Sequence, residues 1–272
     1  PTTIGSTMST KGVVDVVFCL DASDSMKPCI DGVKAHISSF LEGLQADRQR
    51  TWDVRFDFLA HCALFADNGT IGHAHFSLFH NLKNVSEGNS VLDVLYNSQQ
   101  GRGGRFFTTD IEEFKRGLNE VEVAGDEGPL VALDSCLDFP WRKVDECHRV
   151  IIFMTDEPFE TSSNPDMERK FLEEIQQKTQ DLRVLLFIVA PDSPGYEELA
   201  EVDKSEYEAV ESESNGLADV DFGKLLSGIG KSVSVSTANQ QGVSVEKKVK
   251  RGVFGQTEWG NVEGDVDLSD RT

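Results

Sequence analysis

Three stretches of this chain are apolar at almost every position, and each runs into polar or acidic residues. They are "VVDVVFCL" (Val13 to Leu20) before "DASDS", "RVIIFM" (Arg149 to Met154) before "TDEP", and "LRVLLFIVA" (Leu182 to Ala190) before "PD". A strand with one buried face alternates, whereas a run this continuous has to be covered on both faces, as in a parallel sheet. A segment with helical spacing follows each run. After the first come Ile30, Val33, Ile37, Phe40, Leu41 and Leu44, with Pro28 suited to a first turn. After the second comes a helix around Met167 to Thr179, and after the third a helix near Tyr196. Strand and helix in alternation predict an α/β fold: a Rossmann-like, doubly wound, mostly parallel sheet with helices on both faces.

The remaining segments fill in this frame. Asp53 to Ala60 alternates as a half-exposed strand, and His73 to Phe79 alternates again after the turn "DNGTIG". The two read as a hairpin or edge pair and supply one antiparallel edge strand. Residues 81–105 are polar and read as a loop, with a short helix in "VLDVLY". "TTDIEEFKRGLNEV" opens with a capping box at Thr109 and Glu112 and carries an apolar stripe at Ile111, Phe114, Leu118 and Val121. A short helix is expected from Leu130 to Asp138, a short strand at "EYEAV", and an amphipathic helix on Phe222, Leu225, Leu226 and Ile229.

This divides the chain into a flexible N-terminus (1–11), one domain (12–236) and an extended C-terminal tail (237–272). The tail has a basic knot at Lys247, Lys248, Lys250 and Arg251, then Phe254 and Trp259 among Gly and acidic residues. It is too poor in apolar residues for a core of its own. Its two aromatics suit it to docking on a partner, and the knot suits an acidic protein surface.

A formal net charge of -21 over 272 residues repels phosphate, so neither nucleic acid nor an anionic membrane is an expected partner. The same acidity favours a divalent cation. The five cysteines, Cys19, Cys29, Cys62, Cys136 and Cys147, are odd in number and lack CxxC spacing, so reduced thiols and a cytoplasmic location are expected. No apolar run approaches the roughly 20 residues that span a bilayer, and the first residues form no hydrophobic signal region.

In open α/β sheets ligands bind at the carboxyl ends of the strands, near the point where strand order reverses. Two of the loops expected there bring Asp21, Ser23 and Ser25 from one strand and Asp156 from another, and Asp126 or Glu127 stands on the loop before the Leu130 helix. All are hard oxygen donors, a set for Mg²⁺, Mn²⁺ or Ca²⁺ and not for zinc or copper. The alternate spacing of D-x-S-x-S lets a loop turn three side chains toward one point. The bland alternative is that Asp and Ser only cap the following helix. His73 and His75, with His61 or His80, are a weaker zinc candidate than an edge-strand packing set. "GRGGR" (Gly101 to Arg105) lacks the Lys-Ser/Thr ending of a phosphate loop.

"DASDS" and the Asp156 of "IIFMTDEP" resemble the metal-ion-dependent adhesion site (MIDAS) of von Willebrand factor type A domains. The resemblance extends over roughly residues 12 to 236. It implies that Ser23 and Ser25 bind a divalent cation, most often Mg²⁺, directly, with Asp21 and Asp156 bound directly or through water. It also implies an open coordination position that a partner's Asp or Glu fills. The family's threonine ligand from the middle loop falls here on Glu127, a departure that would hold metal more tightly and make it a weaker electrophile. The family's cytosolic members imply a non-enzymatic interaction module of a bacterial stress-response or defence system, beside AAA+ ATPases, kinases or phosphatases. The rival readings are a metal-dependent hydrolase or phosphotransferase and a structural subunit assembled through its tail. Against the former, Ser23 stands where haloacid-dehalogenase-type enzymes need a second Asp, and no G-x-S-x-G elbow is present.

Overall fold

The computed structural model describes residues 10–45, 50–65, 71–77, 81–86, 106–121, 123, 129–159, 165–210 and 215–239. Seven strands form one sheet: β1 (Thr10–Asp21), β2 (Arg50–Phe65), β3 (Ile71–Ser77), β4 (Asn81–Ser86), β5 (His148–Met154), β6 (Val184–Pro191) and β7 (Ser205–Val210). Among the described residues the α-helices are α1 (Lys27–Leu44), α2 (Ile111–Asn119), α3 (Pro129–Leu137), α4 (Pro165–Asp181), α5 (Pro194–Leu199) and α6 (Phe222–Asn239). Strand order is β4-β3-β2-β1-β5-β6-β7. The five strands β2, β1, β5, β6 and β7 run parallel, and β1, β5 and β6 among them are the three continuous apolar runs.

The expected antiparallel edge strand takes a different form. β3 pairs antiparallel with β2, completing the hairpin, but β4 lies outside it and pairs antiparallel in turn. The reversed strand is thus one in from the edge. β4 falls in the stretch read as loop, because its two apolar residues, Leu82 and Val85, stand three apart and give no strand alternation to betray it. "VLDVLY", "GRGGR" and His80 lie outside the described residues, as do the side chains of His73, His75 and Cys62.

Side-chain alternation splits the core into two layers. Val14, Val16, Phe18 and Leu20 of β1 face α1, α2 and α6, while Val17 and Cys19 face α3, α4 and α5. Every one of these β1 residues is fully buried, and β1 is hydrogen-bonded on both edges. Cys19, Cys29, Cys136 and Cys147 are free thiols. The helical stripes are met by burial of Phe114, Leu118 and Val121 on one face and of Leu133, Cys136 and Leu137 on the other. The α2 cap differs from the expected box. Asp110 accepts from the N–H groups of Glu112 (2.9 Å) and Glu113 (3.2 Å), and Thr109 is exposed. A carboxylate is a stronger acceptor than a hydroxyl, and Phe114 in the helix so capped is fully buried.

At the amino end of the sheet, the fully buried Asp15 holds two guanidinium groups. Its Oδ1 accepts from Nε of Arg55 and Nε of Arg142, each at 2.8 Å. Arg142 also reaches the carbonyls of Val14 (2.9 Å) and Asp53 (3.2 Å), tying the segment before β5 to β1 and β2. Burial works against the Asp15 charge, but the hydrogen bonds from Arg55 and Arg142 outweigh it and hold the carboxyl below its ordinary range.

The half-exposed reading of residues 53–60 fails at Asp57, which is buried because residues 106–108 fold over β2. Thr108 exchanges both backbone bonds with Phe56, at 2.8 Å each. Asp57 accepts from the N–H of Phe58 (2.8 Å) and of Phe107 (2.9 Å). Burial nonetheless raises its pKa to about 7, the two backbone bonds and Arg55 pulling the other way. The unfolded value is about 3.9, so the fold retains the proton. The favourable contribution is complete below a pH of about 4 and is lost as pH rises through about 7. Asp57→Asn removes the titration. The stability difference, wild type minus Asp57→Asn, is expected to fall by on the order of 3 kcal/mol between pH 4.5 and 7.5. Urea midpoints across that range measure it, and a flat difference would contradict the buried-acid account.

Candidate metal centre

β2, β3 and β4 lie on one side of β1 and β5, β6 and β7 on the other, so the sheet reverses its winding between β1 and β5. The loops leaving the carboxyl ends of these two neighbours are the ones carrying D-x-S-x-S and Asp156, and the switch point is where open α/β sheets accept ligands.

Beyond Asp21 the chain leaves the sheet at once. The N–H of Ala22 donates to the carbonyl of His61 (2.7 Å), and a 3-10 turn at Asp24–Met26 leads directly into α1. This tight exit turns the alternate side chains inward. The N–H of Ser23 donates to Oδ1 of Asp21 at 2.7 Å. The hydroxyls of Ser23 and Ser25 are 3.2 Å apart, and Ser25 donates to Oδ1 of Asp156 at 3.1 Å. Two hydroxyls and two carboxylates from positions 21, 23, 25 and 156 therefore converge. Asp21 and Asp156 are fully buried, Ser23 is buried, and Ser25 is half-buried and opens the cluster to solvent.

The capping alternative does not describe this loop. Neither Ser23, which precedes the 3-10 turn, nor Met26, which precedes α1, makes a side-chain cap. The serine hydroxyls are turned toward each other and Asp156 instead of toward the helix N–H groups.

Each carboxylate oxygen also has a neutral donor, some of them not anticipated from the sequence. Thr155 donates its hydroxyl to Oδ2 of Asp21 (2.7 Å), and the N–H of Gly216 donates to Oδ2 of Asp156 (2.5 Å). Thr155 precedes Asp156 and could have been read from that adjacency. Gly216 lies on the connection between β7 and α6, and only its left-handed φ of +67° hints at a special position. A side chain there would put Cβ 2.0 Å from the carbonyl oxygen of Ser25. Glycine lets this connection press against the D-x-S-x-S loop while its N–H reaches Asp156.

Asp126 and Glu127, the third acidic source, lie outside the described residues. Among the described residues no three His, Cys, Asp or Glu side chains are grouped for a metal. The cluster instead combines two carboxylates with two hydroxyls, hard donors that fit Mg²⁺, Mn²⁺ or Ca²⁺. His61 stands level with Asp21 on β2 and is buried. Among the described residues no helix is long and apolar enough to cross a membrane.

No protein-family model matches the chain, and no curated protein matches it. Solved structures do. One is a von Willebrand factor type A protein from Catenulispora acidiphila, with 13% identity over 79% of this chain and 42% of that one, at a TM-score of 0.46. Another is the proximal thread matrix protein 1 of the mussel byssus, with 15% identity over 80% of this chain and 46% of that one, at 0.43. A third is an aerotolerance-related membrane protein from Bacteroides fragilis carrying multiple mutations to serines, with 14% identity over 76% of this chain and 95% of that one, at 0.43. The chain thus spans less than half the length of the first two. These likenesses concern the chain's fold and do not bear on what it binds.

The contact at Gly216 predicts that Gly216→Ala costs at least about 2 kcal/mol, from the left-handed backbone and the displaced Ser25 carbonyl. Gly223→Ala, whose Cβ would come no closer than 3.3 Å to His36, is expected within about 1 kcal/mol of wild type. Chemical denaturation of the two variants tests the contrast.

Proposed function

We propose that this chain is a non-enzymatic protein-interaction module that binds its partner through a divalent cation, Mg²⁺ in the first instance, at the carboxyl edge between β1 and β5. The observation that carries the reading is the convergence of the Ser23 and Ser25 hydroxyls with Asp156, at 3.2 and 3.1 Å, beside the buried Asp21. Ser23, Ser25 and Asp156 would hold the cation, and Asp21 would hold it directly or through water. Glu127 is proposed as a further ligand from the loop before α3.

The protein's own residues do the positioning. Thr155 and the N–H of Ser23 fix both oxygens of Asp21, so its orientation does not have to be found when a ligand arrives. The N–H of Gly216 does the same for Oδ2 of Asp156, whose Oδ1 accepts from the Ser25 hydroxyl. Ser25 is the half-buried member of the cluster, so a partner would approach from its side. The cation supplies a Lewis-acidic position for an oxygen of the partner, most simply an Asp or Glu carboxylate. Such recognition rests on a charge-assisted bond at the centre and complementary side chains around it, and none of these steps requires bond cleavage.

Binding of a cation to the folded state alone stabilises by about 2.7 kcal/mol at a concentration 100 times Kd. Mg²⁺ or Mn²⁺ in that excess is expected to raise the unfolding midpoint correspondingly, and Asp21→Ala is expected to abolish the rise. A partner retained in Mg²⁺ is expected to be released by EDTA and not captured by Asp21→Ala. Retention indifferent to both would remove the metal from the interaction, and metal-dependent turnover of a phosphatase or esterase substrate, lost in Asp21→Asn, would establish an enzyme instead.

A further inference from the structure

Behind the candidate ligands stands a buried phenol from the far side of the sheet. Tyr196 belongs to α5, which follows β6, and it is fully buried. Its hydroxyl donates to the carbonyl oxygen of Glu157 at 3.1 Å. The N–H of Glu157 donates to Oγ1 of Thr155 at 3.2 Å, and Thr155 in turn donates to Oδ2 of Asp21 at 2.7 Å. Asp156 lies between Thr155 and Glu157. One phenol therefore grips the segment that carries one carboxylate and orients the other.

The ring is fixed independently of the hydroxyl. It packs edge-on to Phe159 with centroids 5.2 Å apart, and against Phe153 at 6.0 Å and Tyr207 at 6.3 Å. Burial, with the nearby Asp21 charge, pushes its pKa far up, so the hydroxyl stays a donor across the neutral range. Packing of Phe159 against Gly195 ties the same loop to the start of α5. Tyr207 provides an internal comparison. It is equally buried and belongs to the same aromatic group, but its hydroxyl donates to Pro191 (2.5 Å) and accepts from the N–H of Ser193 (3.3 Å). These bonds lie within the β6–α5 connection and do not touch residues 155–157.

We infer that Tyr196 is a positioning residue of the metal centre, holding residues 155–157 so that Asp156 and the Thr155-oriented Asp21 meet the same cation. The inference rests on the metal reading above. Loss of a hydrogen-bonding partner behind metal ligands typically weakens affinity by about 10–100-fold. Tyr196 acts through the backbone, so Tyr196→Phe is expected at the lower end, a rise in Kd for Mn²⁺ of about tenfold.

The test uses the full chain and Mn²⁺ alone, with free Mn²⁺ followed by electron paramagnetic resonance. Wild type, Tyr196→Phe and Tyr207→Phe are compared, each with its metal-free unfolding midpoint. The expected result is weakened binding in Tyr196→Phe and wild-type binding in Tyr207→Phe, although both lose buried hydrogen bonds. Equal Mn²⁺ affinity in wild type and Tyr196→Phe would overturn the inference. So would equal weakening in both variants, which would show a general effect of loosening the aromatic group. A wild-type chain that binds no Mn²⁺ would instead overturn the metal reading, and the inference with it.

Discussion

The structure depends on β1 being buried on every side. It is hydrogen-bonded to β2 along one edge and β5 along the other, and its side chains alternate between two separate apolar layers. A strand so enclosed tolerates a charged side chain only where it is matched or at its ends. Level with the start of β5, the buried Asp15 is matched by Arg55 and Arg142, and Arg142 secures the segment before β5. At the carboxyl end Asp21 emerges among neutral hydroxyl and N–H donors. The difference is chemical: a carboxylate already matched by two guanidinium groups has no capacity left for a ligand, whereas one oriented only by neutral donors keeps its charge available.

Strand order determines which loops meet. Because the winding reverses between β1 and β5, two strands far apart in sequence become neighbours, and Leu20 lies opposite Met154. The residues immediately beyond are Asp21 and the Thr155–Asp156 pair. Parallel pairing then sends both loops off the same edge. The helices that follow pack on opposite faces of the sheet, α1 on one and α4 on the other, so the two chains part beyond the strand ends.

What the sequence exposes, and what it hides, follows from the range of the interactions. Continuous apolar runs and 3.6-residue stripes are local signals, so β1, β5, β6 and helices such as α1 and α6 can be read directly. D-x-S-x-S is local too, and it identified Asp21, Ser23 and Ser25 as a set that the structure brings together with Asp156. β4 carries no local signal because its pairing depends on β3, and Asp57 reads as exposed because Phe107, which covers it, stands 50 positions away. Thr155, Gly216 and Tyr196 act through bonds that join different connections of the sheet. Thr155 has only its place beside Asp156 to mark it, and the local contexts of Gly216 and Tyr196 do not differ from those of an ordinary loop or helix residue. The α2 cap shows the opposite failure, where two adjacent acceptors, Thr109 and Asp110, compete and the stronger one, the Asp110 carboxylate, makes the cap.

The arrangement of donors also bears on what kind of cation the site would prefer. Two carboxylates, both fully buried, stand beside two neutral hydroxyls. Hydroxyls are weak ligands, and they compete well only for hard ions that bind oxygen by charge and do not demand soft donors. Each carboxylate has one oxygen turned toward a backbone N–H, from Ser23 or Gly216, and the other toward a hydroxyl, from Thr155 or Ser25. A hydroxyl can rotate its proton away and present a lone pair, but a backbone N–H cannot. Ser25 and Oδ1 of Asp156 therefore form the adjustable side of the cluster, and the Gly216 contact the fixed side. A cation entering from the Ser25 side would meet the oxygens that can reorient, and Gly216 would hold Asp156 in place while they do.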